Sequence, residues 1–286
     1  LKEGSRVHSQ GVGRNRLRSL LVISGFALAL MLLIGAGLMI RTFAALQAVD
    51  AGFNPHNVVS MVVSVAGSRE ADPARRPIFY HQLIERVRSL PGVQAAGAIN
   101  HLPLAGDLWG WPFVIEGRPK PRPGESPSGV YRMVTPGYFG AMRLPLVRGR
   151  DVSETDNATA PGVVIISERA AKEYWPGGDP IGQRISFDDD KKDPPTWLTI
   201  IGIAKDAKQD DWSATPFPEV YLAAFQSHDF LGDSGSEVAS HVSYITLVAR
   251  TGGDPAAMAP SMKEAAWSFD RNLAISEVVT MDGVVA

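Results

Sequence analysis

The stretch VVSMVVSVAGSREADPARRPIFYHQLIERVRSLPGVQAAGAI, residues 58–99, decides how this 286-residue chain folds. It opens on Val58–Ala66, rich in β-branched residues, which predicts a strand. Asp72-Pro73 then offers a capping side chain followed by a proline suited to a first helical position. Phe79, Leu83, Val87 and Leu90 recur at steps of four, four and three, one face of a 3.6-residue helix. Pro91-Gly92 stops that helix, and Val93–Ile99 returns as a second strand.

The same grammar recurs near the C-terminus. Tyr244–Ala249 predicts a strand, and Asp254-Pro255 is again a cap followed by proline. Met258, Met262, Ala265 and Phe269 share one helical face, and Leu273–Val279 forms the return strand. Two strand–helix–strand units far apart in sequence predict one split α+β subdomain of ferredoxin-like type, interrupted by an insertion.

That insertion reads as mostly strands: Trp111–Ile115, Gly129–Val134, Val163–Ile166, Gln183–Phe187, Leu198–Ile203 and Val220–Ala223. A short helix, Glu168–Tyr174, follows the capping residue Ser167. Proline-rich Arg118–Pro127 and charged Asp188–Pro195 read as loops, and polar Gln226–Ser240 as a mobile one. Thr135-Pro136-Gly137-Tyr138-Phe139 and Tyr174-Trp175-Pro176-Gly177-Gly178-Asp179-Pro180-Ile181-Gly182 join turn residues to aromatics that anchor the turns in a core.

Upstream, Leu20–Ile40 holds no charged residue, and at about 1.5 Å per helical residue it matches a bilayer core. A cleaved signal peptide is the rival, but its apolar region is shorter and ends at a small-x-small site. The basic residues Lys2, Arg6, Arg14, Arg16 and Arg18 precede the span and only Arg41 follows at once, which predicts a cytoplasmic N-terminus. Gly25 and Ala29, four apart, and Gly35-Ala36-Gly37 offer small surfaces for a neighbouring membrane helix, although such residues are common in any span. Residues 42–57 read as a short helical extension broken at Gly52 and Pro55.

The averages conceal this division. Net charge −2 and mean hydropathy −0.01 combine a +5 segment ending at Arg41 with a −7 remainder. An acidic body excludes nucleic acid as the main partner, since phosphate binding needs clustered positive charge. Zero cysteines exclude a thiolate nucleophile, a disulfide framework and a cysteine-ligated zinc site.

Other chemistry is equally thin. Gly177 and Gly182 are spaced as in a phosphate loop but lack its Lys and Ser/Thr, so a turn is expected. Gly232-Asp233-Ser234-Gly235 echoes a serine-protease tetrapeptide without the rest of that pattern. His8, His56, His81, His101, His228 and His241 show no metal-ligand spacing. Asp188-Asp189-Asp190 lacks the glycine and glutamate of a calcium loop. No catalytic, cofactor-binding or metal-binding residue is expected.

Taken in order, Arg16-Leu17-Arg18, Val49-Asp50-Ala51-Gly52-Phe53-Asn54-Pro55, Leu90-Pro91-Gly92-Val93, Thr135-Pro136-Gly137-Tyr138-Phe139, Arg148-Gly149-Arg150-Asp151, Tyr174-Trp175-Pro176, Asp179-Pro180-Ile181-Gly182 and Pro218-Glu219-Val220-Tyr221 resemble MacB/FtsX-type ABC transporter permeases. The likeness spans nearly the whole chain and looks closest to a duplicated acidobacterial branch. It implies a first membrane helix, then a periplasmic core domain made of a split Porter-like subdomain and an inserted Sabre-like one. On this reading residues 1–19 form a cytoplasmic basic segment, 20–41 the transmembrane helix and 42–57 a connector. Residues 58–130 and 241–283 form the Porter-like part, and 131–240 the Sabre-like part.

The resemblance further implies no cofactor in this chain, with ATP bound by a separate ABC ATPase subunit. Other permease helices or a second permease copy, a periplasmic adaptor and the bacterial inner membrane would be its partners. Its role would be transmission of ATP-driven motion to the periplasm, in efflux or mechanotransmission, rather than catalysis. Three later helices of the family are absent, and Leu1-Lys2-Glu3-Gly4 resembles the connector of duplicated members, so a fragment of a longer permease is expected. The alternatives are a single-pass anchored sensor or ligand-binding domain and, third, an anchored hydrolase.

Overall fold

A computed structural model describes residues 10–47, 49–72, 75–106, 108–119, 121–122, 124–187, 195–209, 214–226 and 244–285. The chain divides into two units, Leu1–Asp50 and Ala51–Ala286. In the first, helix α1 (Gln10–Gln47) contains the apolar stretch Ser19–Thr42. Leu20, Phe26, Leu33 and Met39 within it are exposed, a surface suited to lipid rather than water.

In the second unit, β1 (Val58–Ser64), helix α2 (Arg76–Arg88) and β2 (Val93–Ile99) make the first strand–helix–strand unit. The chain then adds β3 (Gly110–Pro112), β4 (Val114–Ile115), β5 (Ser128–Val134), helix α3 (Tyr138–Met142) and β6 (Leu146–Gly149). Next come β7 (Val163–Ser167), helix α4 (Glu168–Tyr174), β8 (Arg184–Ser186), β9 (Leu198–Ala204) and β10 (Glu219–Ala223). The second unit closes with β11 (Tyr244–Thr251), helix α5 (Ala259–Trp267), β12 (Ala274–Thr280) and helix α6 (Met281–Val285).

The strands form one mixed sheet ordered β12-β1-β11-β2-β5-β10-β7-β9-β8-β4, with β3 on β5 and β6 on β9. Each neighbouring pair among its first four strands is antiparallel. Numbered within their own subdomain they run 4-1-3-2, the ferredoxin-like order expected from the two split units. Alternation decides the faces. Val59, Met61, Val63, Ile245, Leu247 and Ala249 meet Phe79, Leu83 and Val87 of α2 and Met262 and Ala265 of α5 in one apolar core. The intervening residues Ser60, Ser64, Tyr244, Thr246 and Arg250 belong to the opposite face.

Both helices begin later than their Asp-Pro signals. Helix α2 starts at Arg76 with a proline in its first turn, and its N-cap residue Arg75 supplies no side-chain cap. A helix begun at Pro73, which lies outside the described residues, would hold Pro77 in its interior, where proline lacks a donor and clashes with the preceding turn. Pro260 acts likewise: Asp254 Oδ1 accepts the Ala256 N–H at 2.9 Å, a 3-10 turn covers Ala256–Met258, and α5 proper starts at Ala259. The expected strand Trp111–Ile115 splits at Phe113, with β3 on β5 and β4 on β8. Pro112 has no N–H to continue a ladder there.

The inserted part joins the ferredoxin-like part through a short seam. Strand β5 pairs with β2 only at Val134 and Ile99. Around that pair, Thr135 N–H donates to Ala98 O at 3.0 Å and its Oγ1 accepts the Ala98 N–H at 2.8 Å. Asn100 Oδ1 accepts the Met133 N–H at 2.9 Å. The Thr135–Phe139 motif thus closes the seam, with Tyr138 and Phe139 buried in α3. A Cβ on Gly97 would lie 2.4 Å from Tyr138 N, so only glycine lets α3 rest directly on β2. Strand β5 runs continuously through 130/131, where the sequence reading divides the subdomains.

The second aromatic motif anchors the far end. Trp175 is buried, and the Tyr174 hydroxyl donates to Ser128 O at 2.6 Å. Gly177–Gly182 is a turn before β8, with Gly182 N–H donating to Ile200 O at 2.9 Å. Beside it, the loop after Arg148-Gly149-Arg150-Asp151 is held by Arg150, whose guanidinium donates to both oxygens of Asp156 at 2.6 and 2.8 Å.

That loop sets an acid limit. Hydrogen bonds from Arg150 hold the Asp156 carboxyl down at about 2, below its ordinary value, whereas burial pushes Asp151 up to about 6. Asp156 contributes stability that is complete above pH ~4 and lost as pH falls toward 2. Asp151 acts oppositely, costing stability as pH rises from ~4 through 6. Asp156→Asn is expected to lower the thermal midpoint at pH 7 and to flatten its fall between pH ~4 and 2, read by circular dichroism melts. An unchanged acid profile would refute the assignment.

Candidate functional site

The most elaborately fastened segment of the second unit is the chain that follows α1. Ala51 and Phe53 are buried in the core that α3 shares with the sheet. Lys208 N–H donates to Ala51 O at 2.9 Å, and Asn54 N–H donates to Met142 O at 2.9 Å. Gly52 turns the chain at φ +86°, and a Cβ there would lie 2.1 Å from Asp206 O. The break expected at Gly52 and Pro55 is therefore a docked turn. Gly52→Ala is expected to cost about 2 kcal/mol through left-handed strain and displacement of residues 206–207. A urea midpoint matching the parent's would refute that close approach.

Arg250 of β11 locks this segment. Its Nε donates to Ala141 O at 2.7 Å, Nη1 to His56 O at 2.6 Å and Nη2 to Asn54 O at 2.7 Å. The side chain is 3% exposed, so three backbone carbonyls have been taken from water and given to one cation. Burial and the nearby Arg143 lower the Arg250 pKa, yet the guanidinium stays charged. Beside the clamp, His56 Nδ1 meets Asp282 Oδ1 at 2.7 Å, linking the segment after α1 to α6. A single arginine in YITLVAR is the only sequence trace of the clamp, and its partners lie 109 to 196 positions away.

A second buried polar group braces the seam. Arg132 Nε donates to Glu219 Oε1 at 3.1 Å, and Nη1 donates to His101 O at 3.2 Å. The Tyr221 hydroxyl donates to Glu219 Oε2 at 2.7 Å, and burial pushes that hydroxyl's pKa well above its ordinary value. The parallel register of β5 and β10 places Tyr221 directly opposite Arg132. This arrangement holds strands together; it presents no reacting group to solvent.

The histidines do not converge. His56 pairs with Asp282, His81 meets Glu154 at 3.0 Å on the surface, and His101 lies buried with Nδ1 3.2 Å from the Tyr244 hydroxyl. Among the described residues no three His, Asp or Glu side chains are placed to hold a metal ion. His8, His228, His241, Asp188–Asp190, Gly232–Gly235, the segment 227–240 and Leu1–Gly4 lie outside the described residues.

The MacB-like periplasmic core domain family matches residues 19–265. Among solved structures, the periplasmic region of MacB from Actinobacillus actinomycetemcomitans is 15% identical over 82% of this chain and 92% of its own, with a TM-score of 0.50. A permease-protein domain from Porphyromonas gingivalis is 16% identical over 82% and 99%, with a TM-score of 0.43. The extracellular domain of the noncanonic ABC-type transporter YknZ from Gram-positive bacteria is 14% identical over 77% and 100%, with a TM-score of 0.45. No curated protein matches the sequence.

Proposed function

Since the chain belongs to the MacB-like periplasmic core domain family, we propose that its periplasmic domain works as a mechanical relay. Members of this family are parts of ABC transporter permeases, and such domains are not themselves enzymes. In our reading a separate ABC ATPase subunit binds and hydrolyses ATP, and α1, with its N-terminus in the cytoplasm, passes the motion to the periplasm. A second permease copy and a periplasmic adaptor complete the assembly. Residues 58–130 with 241–283 and residues 131–240 serve as its two subdomains, and no cofactor binds this chain.

One observation carries the proposal: Ala51–His56, the first residues of the second unit, are held in it by Arg250, Gly52 and buried Phe53. A tether meant only to anchor a ligand-binding domain needs no such fastening, whereas a lever does. The test is to purify the permease with its ATPase and follow transport in vesicles. Loss of transport on disabling ATP hydrolysis supports the relay; undiminished transport by the permease alone refutes it.

A further inference from the structure

We propose that the face of the ferredoxin-like sheet opposite α2 and α5 carries a binding site for a small uncharged sugar. A pocket of about 380 Å³ lies there, within the range of about 300–1,000 Å³ common to small-molecule sites. Its floor is the side of β1 and β11 that faces away from α2 and α5, including Ser60, Val62 and Thr246, with Val284 of α6 in its lining. Asn100 and His101 at the end of β2 form one wall, and Tyr244 lines the pocket as well.

The decisive group is Asn100. It is 2% exposed, and its Oδ1 accepts the Met133 N–H, which fixes the orientation of the amide. Its Nδ2 is buried and has no hydrogen-bond partner among the described residues. A buried amide donor without an acceptor is costly, and here it belongs to a residue lining a pocket, so an acceptor oxygen from a ligand would satisfy it. The second signal is Glu277. The pairing of β1 with β12 slips between Ser60 and Val62, and Glu277 adopts φ 50° on that bulge, bringing a carboxylate to the pocket lining.

These groups select the ligand chemistry. Among the described residues no lysine or arginine lines the pocket and one carboxylate does, which disfavours an anion. The backbone groups of the floor strands are committed to their ladders, so an extended peptide could not add there as a strand. A sugar answers both polar groups: one oxygen accepts from Asn100 Nδ2 and a hydroxyl donates to the Glu277 carboxylate. Its less polar C–H face can lie against Tyr244, Val62 and Leu102. The site is separate from the Arg250 clamp and needs no ATPase.

Saturation-transfer NMR on the whole chain in lipid nanodiscs tests this, with glucose, N-acetylglucosamine and maltose as probes and phosphate and trialanine as contrasts. Transfer to at least one sugar is expected, abolished by Ser276→Trp, which fills the pocket from exposed β12. Asn100→Asp keeps the acceptor for Met133 but removes the donor, and should weaken binding about tenfold or more. Should Ser276→Trp fail to fold by circular dichroism, Glu277→Ala on the exposed lining removes the acceptor for the sugar hydroxyl and should weaken transfer. Absence of transfer to all three sugars from folded protein overturns the proposal. So does equal transfer to the blocked variant, or binding of phosphate or trialanine in place of sugar.

Discussion

Arg250→Met is expected to destabilise the second unit by about 3–5 kcal/mol, the largest loss from any single clamp residue. Methionine fills much of the volume but leaves three buried carbonyls, those of Asn54, His56 and Ala141, without their donor. Each such acceptor forfeits a charge-assisted bond, and water can reach only some of them in a site 3% exposed. Tryptophan fluorescence during urea unfolding should show a lower midpoint with an unchanged slope. A loss below about 1 kcal/mol would mean that water replaces the guanidinium freely and that the clamp is ornamental.

Arg250→Lys separates fastening from folding. One ammonium cannot span three carbonyls with the guanidinium's planar fork, so about 2 kcal/mol should be lost while the domain still folds. If the segment after α1 is the joint of a relay, this variant in the assembled transporter should hydrolyse ATP while moving less substrate. Parent-like transport at parent-like hydrolysis would remove the clamp from the coupling path and leave it a structural role only.

The outline of the fold was legible because the two split units obey local rules. Val93–Ile99 and Glu168–Tyr174 fold with the predicted bounds, the latter capped by Ser167, whose Oγ accepts the Ala170 N–H. Asp72-Pro73 has the local form of a helix start, but Pro77 sets the first turn of α2 instead. Helices of five residues, such as α3 and α6, are too short for a period to register, and β6 is only four residues long. The clamp and the pocket were hidden for another reason. Both are made by residues that meet only after β11 has been laid between β1 and β2, and alternation in a strand reveals a face but never its partner.

Arg132→Met should cost a similar 3–5 kcal/mol, by a different route, and a second change should return part of it. Here the damage lies in what remains: the Glu219 carboxylate, buried beneath the seam, loses its compensating cation while still holding the Tyr221 hydroxyl. Glu219→Gln in the same chain removes the stranded charge and keeps an oxygen for Tyr221. The double variant should therefore be more stable than Arg132→Met alone by about 1–3 kcal/mol, although it carries one more mutation. His101 O still lacks the Arg132 Nη1 donor in both, so the parent stability should not be fully regained. Simple additivity, with the double variant weaker than either single one, would show that Glu219 is hydrated once Arg132 is gone. The pair would then be a surface-like bridge of small worth, and the seam between the two parts would rest on β5, β2 and α3 packing alone.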